Sequence, residues 1–352
     1  MSEPITVKGT LVLHYGKGKN NEIKRAAEII RRGGLVAFPT ETVYGLGADP
    51  GNDHALERIF AVKGRPADNP LIMHIADLSQ LAALVHEPPA EVVKLAETFW
   101  PGPLTMVLKK KAGISPLVSA GLPTVAIRMP AHPAALALIT ECGFPVVAPS
   151  ANLSGTPSPT EAAHVIEDFA GKIDAILTGG RCPIGIESTV LDLAGEKPLL
   201  LRPGSIGREA LASCLQAPVL IAGGEESRTS FYPGGKHRHY APRAELVLFR
   251  GSTSRVGEEM ASVCQRLMDE GRKVGVLCTV ENRDYFRRGL IRVLGRQAVL
   301  QEVAASFYHV LRDLDRSGVD IILSEGFCEE DPLGLALMNR LQKAADRVVD
   351  VI

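Results

Sequence analysis

A short apolar run that stops at a proline and is followed at once by polar side chains constrains this chain most. Residues 35–38 (LVAF) have the pattern of a buried strand, and the segment PTETVYGLG follows at 39–47. Pro39 has no N–H for a strand ladder. Ligands of open α/β sheets bind beyond the carboxyl ends of strands, so we expect a site here. The alternative is a tight polar turn between two strands.

Other predicted strands end in the same way. Residues 145–155 (PVVAPSANLSG) repeat the order of apolar strand, proline, then hydroxyl and amide side chains. The strands predicted at 124–128 and 199–202 end in Arg128 and Arg202, each with a proline close behind. A buried Arg128 requires a carboxylate or phosphate partner. Such converging ends predict one pocket built at strand termini.

The segment KGRPADNP at 63–70 is the second unusual stretch. Lys63 occupies the last turn of a predicted helix, where the helix dipole favours a cation. The helix dipole does not explain Arg65 and Asn69, which lie on a loop stiffened by prolines. A cation and an amide on such a loop are suited to binding a polyanion attached to a nucleobase or sugar. His74 follows in an apolar strand, where a histidine is more often a core residue than a catalyst.

The 352 residues are enough for two domains. From residue 244 onward, strands and helices alternate with lengths that predict a small parallel Rossmann-like sheet. This second part has no GxGxxG segment, and Ser324, Glu325 and Gly326 at a strand end are its one minor site signal. We therefore expect a regulatory or interaction-making domain.

Composition excludes several classes of function. The net charge is −1, with 45% hydrophobic and 22% charged residues, so no global attraction to nucleic acid or anionic membrane is expected. Six cysteines without a CxxC pair indicate reduced, mostly buried thiols. No apolar run has membrane-spanning length, and we expect a cytoplasmic protein with no membrane partner.

Five motifs together closely resemble those of the YrdC-like family of L-threonylcarbamoyladenylate synthases. They lie at 39–47, 63–71, 149–155, 188–190 and 202–204. The segment YPGGKHRHYAP at 232–242 and the chain length resemble the two-domain Sua-type form. The resemblance implies an α/β protein with a YrdC-like twisted mixed-sheet domain at 1–218 and a linker or lid at 219–243. A smaller Rossmann-like parallel α/β domain follows at 244–352. The linker departs from the family pattern, since Tyr232 and Gly235 stand where Ser and Met are usual.

The family resemblance also implies a reaction. L-threonine, bicarbonate and ATP give threonylcarbamoyl-AMP and pyrophosphate, and a threonylcarbamoyl transferase complex then modifies the adenosine next to the tRNA anticodon. ATP is a substrate with Mg²⁺ carried on its phosphates, and no tightly bound cofactor is expected. A direct contact with tRNA is compatible with this scheme.

The resemblance further assigns roles to residues, position by position. The threonine-binding pattern falls on Thr40, His74, Arg128, Ala148 and Ser188. The ATP-binding pattern falls on Lys63, Arg65, Asn69, Thr124, Ser150, Asn152, Ser158, Arg202 and Tyr240. Lys63 and Arg65 are the expected catalytic residues, because their charges can neutralise the triphosphate as pyrophosphate leaves. The linker is expected to fold over the nucleotide, with Tyr240 touching ATP.

Two other classes of function remain as alternatives. An RNA-binding module without catalysis, for tRNA or double-stranded RNA, fits a basic concave surface, but aromatic residues are only 5% with one tryptophan, which supplies base stacking poorly. A serine hydrolase using Ser150 or Ser188 lacks the nucleophile-elbow glycine pattern and an evident histidine partner.

Overall fold

The computed structural model describes residues 5–16, 20–222 and 240–351, which form two compact units. The first unit contains the described residues of 5–154, 159–183 and 187–222, and the second contains 155–158, 184–186 and 240–351. Most of the linker expected at 219–243, including Lys236, lies outside the described residues. The domain limits 1–218, 219–243 and 244–352 stay a prediction.

The first unit contains twelve strands and eight α-helices in its described ranges, and a 3-10 turn at Leu78–Gln80 precedes α3. The strands are β1 (Ile5–Val7), β2 (Thr10–His14), β3 (Val36–Phe38), β4 (Gly45–Gly47), β5 (Ile72–His74), β6 (Leu104–Lys109), β7 (Thr124–Arg128), β8 (Val146–Val147), β9 (Ala175–Thr178), β10 (Thr189–Asp192), β11 (Leu199–Arg202) and β12 (Leu220–Ile221). The helices are α1 (Asn20–Arg31), α2 (Asp53–Lys63), α3 (Leu81–Leu84), α4 (Ala90–Phe99), α5 (Pro116–Ser119), α6 (Pro133–Cys142), α7 (Ala162–Phe169) and α8 (Arg208–Leu215).

Two mixed sheets organise these elements. The seven-stranded sheet has the order β12-β11-β10-β6-β7-β5-β8, in which β5 and β7 are parallel while β6 and β7 are antiparallel. The five-stranded sheet has the order β1-β2-β9-β3-β4, with β3 parallel to β9 and antiparallel to β4. The predicted mixed-sheet α/β fold is confirmed.

The two faces of the seven-stranded sheet differ in character. Residues such as Met73, Met106 and Ile127 pack into the large core with the helices. The opposite face carries a smaller apolar cluster formed by Ile72, Val107, Ala126, Val190 and Leu201. Side chains alternate along a strand, so this second face also receives the residues two positions further along β5 and β7. Those residues are His74 and Arg128.

Helix α2 shows how local sequence positions one site loop. Asn52 caps its first turn, with Oδ1 accepting the Ala55 N–H at 3.1 Å. Gly64 ends the helix at a φ of 60°, a conformation that glycine adopts without steric cost. Lys63 lies in the last turn of this helix, as the sequence predicted. Lys63 is therefore the last residue of the helix, directly before the loop of residues 64–70.

The start of α7 differs from the sequence prediction. Threonine is a common N-cap, so the sequence favours a helix start at Thr160, but the helix begins at Ala162 with Glu161 in the cap position. The Thr160 N–H instead donates to His164 Nδ1 at 3.2 Å, so a side chain from within the helix satisfies it. The backbone donor at Thr160 therefore needs no helical hydrogen bond.

The second unit is a five-stranded sheet in the order β15-β14-β16-β13-β17, with every strand pair parallel. Its strands are β13 (Glu245–Arg250), β14 (Val274–Cys278), β15 (Leu290–Val293), β16 (Ile321–Glu325) and β17 (Arg347–Asp350). Its helices are α9 (Thr253–Asp269), α10 (Leu300–Arg316) and α11 (Pro332–Ala344), with a 3-10 turn at Arg283–Tyr285. The predicted parallel domain is confirmed.

The sequence patterns did not reveal the two outer strands of this sheet. Arg292 interrupts β15, and Arg347 and Asp350 bound β17, whose residues are mostly exposed. Edge strands that bury little apolar surface give no clear hydrophobic alternation. Within residues 5–16, 20–222 and 240–351, no helix combines the length and apolar character needed to cross a membrane.

Candidate active site

The turn after β3 is closed by the hydroxyl of Thr40. Thr40 Oγ1 donates to the Val43 carbonyl at 2.6 Å and accepts the N–H groups of Thr42 at 3.1 Å and Val43 at 3.2 Å. Thr42 Oγ1 lies 2.8 Å from the same oxygen. Both threonines are buried, so the polar residues after Pro39 form a fixed structure at the end of β3.

Arg128 ends β7 and directs its guanidinium at this turn. Nη1 donates to Thr42 Oγ1 at 2.8 Å, Nε donates to the Gly102 carbonyl at 3.1 Å, and Nη2 lies 2.5 Å from Glu41 Oε1. The side chains of Arg128 and Glu41 are 4% and 9% exposed, so this is a buried ion pair. The sequence predicted that a buried Arg128 needs an anion, but it did not identify Glu41 as that partner.

His74 lies beside Arg128, since the two residues are paired in the register of β5 and β7. Burial and the nearby charge of Arg128 lower the pKa of His74 to about 3, so the imidazole is neutral. Nδ1 lies 3.2 Å from the Ile72 carbonyl, an acceptor, which assigns the proton to Nδ1 and leaves Nε2 as an acceptor. This strand histidine can therefore accept a hydrogen bond from a ligand.

Ser188 and Arg202 form a second polar group at the same edge of the sheet. Arg202 donates from Nε to the Ser188 carbonyl at 3.0 Å and from Nη2 to Ser188 Oγ at 3.1 Å. Ser188 Oγ also lies 2.7 Å from Thr105 Oγ1. A Cβ at Gly204 would overlap the backbone nitrogen of Thr189, so the glycine allows this close approach.

Lys63 ties the end of α2 to the loop after β8. Its Nζ donates to the carbonyls of Ser150 and Asn152, both at 2.6 Å, and its side chain is buried. The Ser154 N–H in turn donates to the Lys63 carbonyl at 2.8 Å. The structure thus brings three of the predicted ATP-binding residues, Lys63, Ser150 and Asn152, into one hydrogen-bonded group.

Of the remaining predicted residues of the first unit, Arg65, Asn69 and Ala148 lie on segments next to these groups, whereas Thr124 lies at the opposite end of β7 from Arg128. Arg65 is half-buried and donates to the carbonyls of Asn69 at 3.2 Å and Pro70 at 2.9 Å, which folds residues 65–70 into a compact loop. The Ala148 N–H donates to the Ile72 carbonyl at 2.9 Å. Thr124 begins β7, opposite Lys109 in β6, and its side chain is half-buried.

Two predicted ATP-binding residues belong to the second unit. Ser158 is fully buried within it. Tyr240 adopts a φ of 67°, is buried, and stacks its ring 5.7 Å from that of Tyr308. The Ala241 N–H donates to the Gly155 carbonyl at 2.8 Å. The expected contact of Tyr240 with ATP stays a prediction.

Three further residues contact the predicted site residues, although no sequence pattern singled them out. Glu41 pairs with Arg128, Thr42 joins Arg128 to Thr40, and Thr105 contacts Ser188. Glu41 and Thr42 lie inside the segment 39–47, so the signal for them was present, although no pattern indicated their partners. Thr105 is fully buried. Its sequence signal was a polar residue that interrupts the apolar run of β6.

Fold and site together define an α/β protein with buried polar and charged side chains at the strand ends of a mixed sheet, an arrangement suited to a small polar ligand. A family model described as "Telomere recombination" matches residues 28–204, and one described as "Threonylcarbamoyl-AMP synthase, C-terminal domain" matches residues 206–346. The chain belongs to the threonylcarbamoyl-AMP synthase family, in its two-domain form.

Individual relatives agree with this assignment. The threonylcarbamoyl-AMP synthase of Bacillus subtilis is 48% identical over 92% of this chain and 93% of its own. That of Schizosaccharomyces pombe is 42% identical over 93% of this chain and 89% of its own. The crystal structure of Pyrococcus abyssi Sua5 complexed with L-threonine has 44% identity and a TM-score of 0.91, covering 97% of this chain and 100% of that one. The family resemblance seen in the sequence motifs is confirmed, and the catalytic interpretation is favoured over an RNA-binding module.

Proposed function

We propose that this protein synthesises L-threonylcarbamoyl-AMP and pyrophosphate from L-threonine, bicarbonate and ATP. The product serves the threonylcarbamoyl modification of the adenosine next to the tRNA anticodon. The observation that carries the proposal is the buried guanidinium of Arg128 beside the neutral imidazole of His74, at the sheet edge that also holds Ser188 and Arg202. A cation, a neutral acceptor and a hydroxyl in that arrangement match the groups of threonine.

The amino-acid half of the site follows from the chemistry of these groups. Arg128 holds the threonine carboxylate, since a guanidinium pairs with a carboxylate through parallel hydrogen bonds. Nε2 of His74 accepts a hydrogen bond from the threonine amine or hydroxyl. Ser188 supplies a hydroxyl, and Thr105 and Arg202 fix its position. Thr40 and Ala148 complete the expected set at the ends of β3 and β8.

Most of the nucleotide half is assigned to the loops of the first unit. Arg65 and Arg202 neutralise the triphosphate and the charge that develops as pyrophosphate leaves. We assign Lys63 to the same electrostatic task, and its two loop contacts also fix Ser150 and Asn152. The full expected ATP set is Lys63, Arg65, Asn69, Thr124, Ser150, Asn152, Ser158, Arg202 and Tyr240.

Catalysis in this scheme rests on positioning and electrostatics. Ser188 Oγ contacts Thr105 and Arg202 rather than an imidazole, so it lacks the base that a nucleophilic serine requires. In this scheme the neutral threonine amine attacks the bicarbonate carbon and water leaves, which gives the carbamate. A carbamate oxygen then attacks the α-phosphate of ATP and breaks its bond to the β-phosphate, so pyrophosphate leaves. The carboxylate at this edge, Glu41, is engaged by Arg128, so we expect Mg²⁺ to arrive on the ATP phosphates.

The partners of the reaction product are also part of the proposal. The threonylcarbamoyl group passes to tRNA through a threonylcarbamoyl transferase complex, which implies a cytoplasmic protein. A mixed anhydride of this kind is reactive toward water, which favours direct transfer to a partner over free diffusion.

The test is pyrophosphate release from ATP by the purified protein, with threonine and bicarbonate each omitted in turn. We expect release only when both are present. Release without threonine would identify a plain ATPase and overturn the amino-acid assignment. No release, together with tight tRNA binding that weakens steeply with salt, would favour the RNA-binding alternative.

A further inference from the structure

Glu41 has no binding role in the assignments above, yet its carboxylate pairs with Arg128, the residue assigned to the threonine carboxylate. The residue is 7% exposed, and Oε1 lies 2.5 Å from Arg128 Nη2. Apart from Arg128 Nη2, no hydrogen-bond donor reaches either carboxylate oxygen of Glu41 in the part of the chain that the structure describes. A buried carboxylate normally accepts several hydrogen bonds, so Glu41 has capacity for a ligand donor.

The groups around Glu41 leave it facing one cation. Its charge is felt by His132 and Cys182, but burial lowers the pKa of His132 and raises that of Cys182, so both are neutral. Within the described ranges, Arg128 is the only ion-pair partner of Glu41. The Glu41–Arg128 pair therefore presents one positive and one negative group side by side, and these two charges balance each other.

This pair imposes a condition on any ligand. A carboxylate that approaches Arg128 also approaches Glu41, and two like charges in a buried site repel each other strongly. An α-amino acid avoids that cost, because its ammonium group is attached to the carbon next to its carboxylate. Its two charges then match those of Arg128 and Glu41 in sign and spacing.

We propose that Glu41 is the specificity-determining residue that makes this site select zwitterionic α-amino acids and reject simple hydroxy acids. The inference rests on the proposed function, since it concerns the threonine part of the same site. Its role is independent of the hydroxyl recognition assigned to His74 and Ser188.

The experiment measures binding by calorimetry in the absence of ATP and bicarbonate, with three ligands. These are L-threonine, 3-hydroxybutyrate, which lacks the ammonium group, and L-threoninol, which lacks the carboxylate. The wild-type protein is expected to bind threonine at least about tenfold more tightly than either analogue. In Glu41→Gln, threonine and threoninol should each bind roughly tenfold more weakly, while 3-hydroxybutyrate should bind several-fold more tightly.

Two further variants separate charge from structure. Glu28→Gln removes an exposed carboxylate that pairs with Arg31 and Arg32 on α1, and it should leave all three affinities unchanged. Glu41→Asp keeps the charge and should keep the wild-type ranking of the ligands. Partial unfolding lowers the affinity for every ligand alike. It therefore cannot raise the affinity for 3-hydroxybutyrate while lowering the affinity for threoninol.

The outcomes distinguish this inference from the proposed function. Suppose that the wild type binds threonine, but Glu41→Gln lowers the affinity for all three ligands equally or changes none of the three affinities. The inference about Glu41 is then overturned, while the proposed function stands. If Glu41→Gln does not fold, the wild type and Glu41→Asp decide, and comparable affinity of the wild type for 3-hydroxybutyrate and threonine overturns the inference. A wild type that binds no threonine overturns the proposed function as well.

Discussion

Lys63 Nζ lies 2.6 Å from the carbonyl oxygen of Asn152, and the same ammonium group donates to the Ser150 carbonyl. The side chain is buried, so these contacts are made out of water. A lysine in this position joins the end of α2 to the loop after β8, which carries two of the residues assigned to ATP. The charge of Lys63 thus has a positioning task in addition to the catalytic task that the family resemblance implies.

Replacing this ammonium by a thioether of similar length tests its positioning task. We expect Lys63→Met to lower the free energy of unfolding by about 3 kcal/mol, because two buried carbonyls lose a charged donor. Pyrophosphate release should fall at least about tenfold, since the loop of residues 150–152 loses its fixed position. The single tryptophan, Trp100, is buried in the first unit and reports unfolding by fluorescence.

Lys172 offers a matched control, as it is exposed and donates to only one carbonyl, that of Asp168, at 2.9 Å. Lys172→Met should change neither stability nor activity measurably. Equal stability of Lys63→Met and Lys172→Met would show that the buried contacts of Lys63 do not stabilise the loop.

The fork of Arg202 on Ser188 gives a second prediction. Arg202→Lys retains the charge but cannot make the two hydrogen bonds to the Ser188 carbonyl and hydroxyl at once. The threonine KM is expected to rise roughly tenfold, because Ser188 loses its orientation. The KM is measured from steady-state pyrophosphate release at varied threonine concentration. Arg208→Lys is the control, since Arg208 is exposed and pairs with its neighbour Glu209, and an equal effect there would contradict the prediction.

The depressed pKa of His74 makes the stability of the first unit depend on pH. The pKa is about 3 in the folded protein and about 6.5 in the unfolded chain, so the unfolded state binds the proton more readily between these values. Stability is therefore lost as the pH falls below about 6.5. Between pH 7 and pH 5 the wild type should lose about 2 kcal/mol more than His74→Gln, as measured by urea unfolding with Trp100 fluorescence.

A matched histidine variant checks that this loss belongs to His74. His54 is exposed on α2, and His54→Gln should lose as much stability as the wild type over the same pH range. Parallel pH curves for wild type and His74→Gln would mean that His74 titrates normally in the folded protein.

Hydroxyl recognition by Ser188 and His74 predicts strong discrimination between isosteric amino acids. Valine should support pyrophosphate release on the order of 10⁴-fold less efficiently than threonine, because it leaves buried polar groups without partners. The comparison of kcat/KM for the two amino acids at saturating ATP and bicarbonate measures this ratio. A kcat/KM ratio near 100 would contradict the prediction and indicate a pocket that distinguishes amino acids only by side-chain size.

The ends of many elements, and the chemical type of the site, followed from local sequence. Asn52 and Gly64, residue types that favour helix ends, bound α2, and side-chain alternation along β5 places His74 on the face of Ile72. These features depend on contacts between near neighbours, which the residue pattern encodes directly. The family motifs also pointed to candidate amino-acid and nucleotide residues, and the structure gathers several of them into hydrogen-bonded groups.

Only the tertiary structure decided which distant groups meet. Glu41 pairs with Arg128 because β7 ends opposite the turn after β3, and Lys63 reaches residues 150–152 because α2 ends beside the loop after β8. Strand order and loop path set these distances, and many orders satisfy the same apolar pattern. A buried charge must find its partner in the folded chain, so its position in the sequence indicates that a partner is needed, while the fold selects the residue.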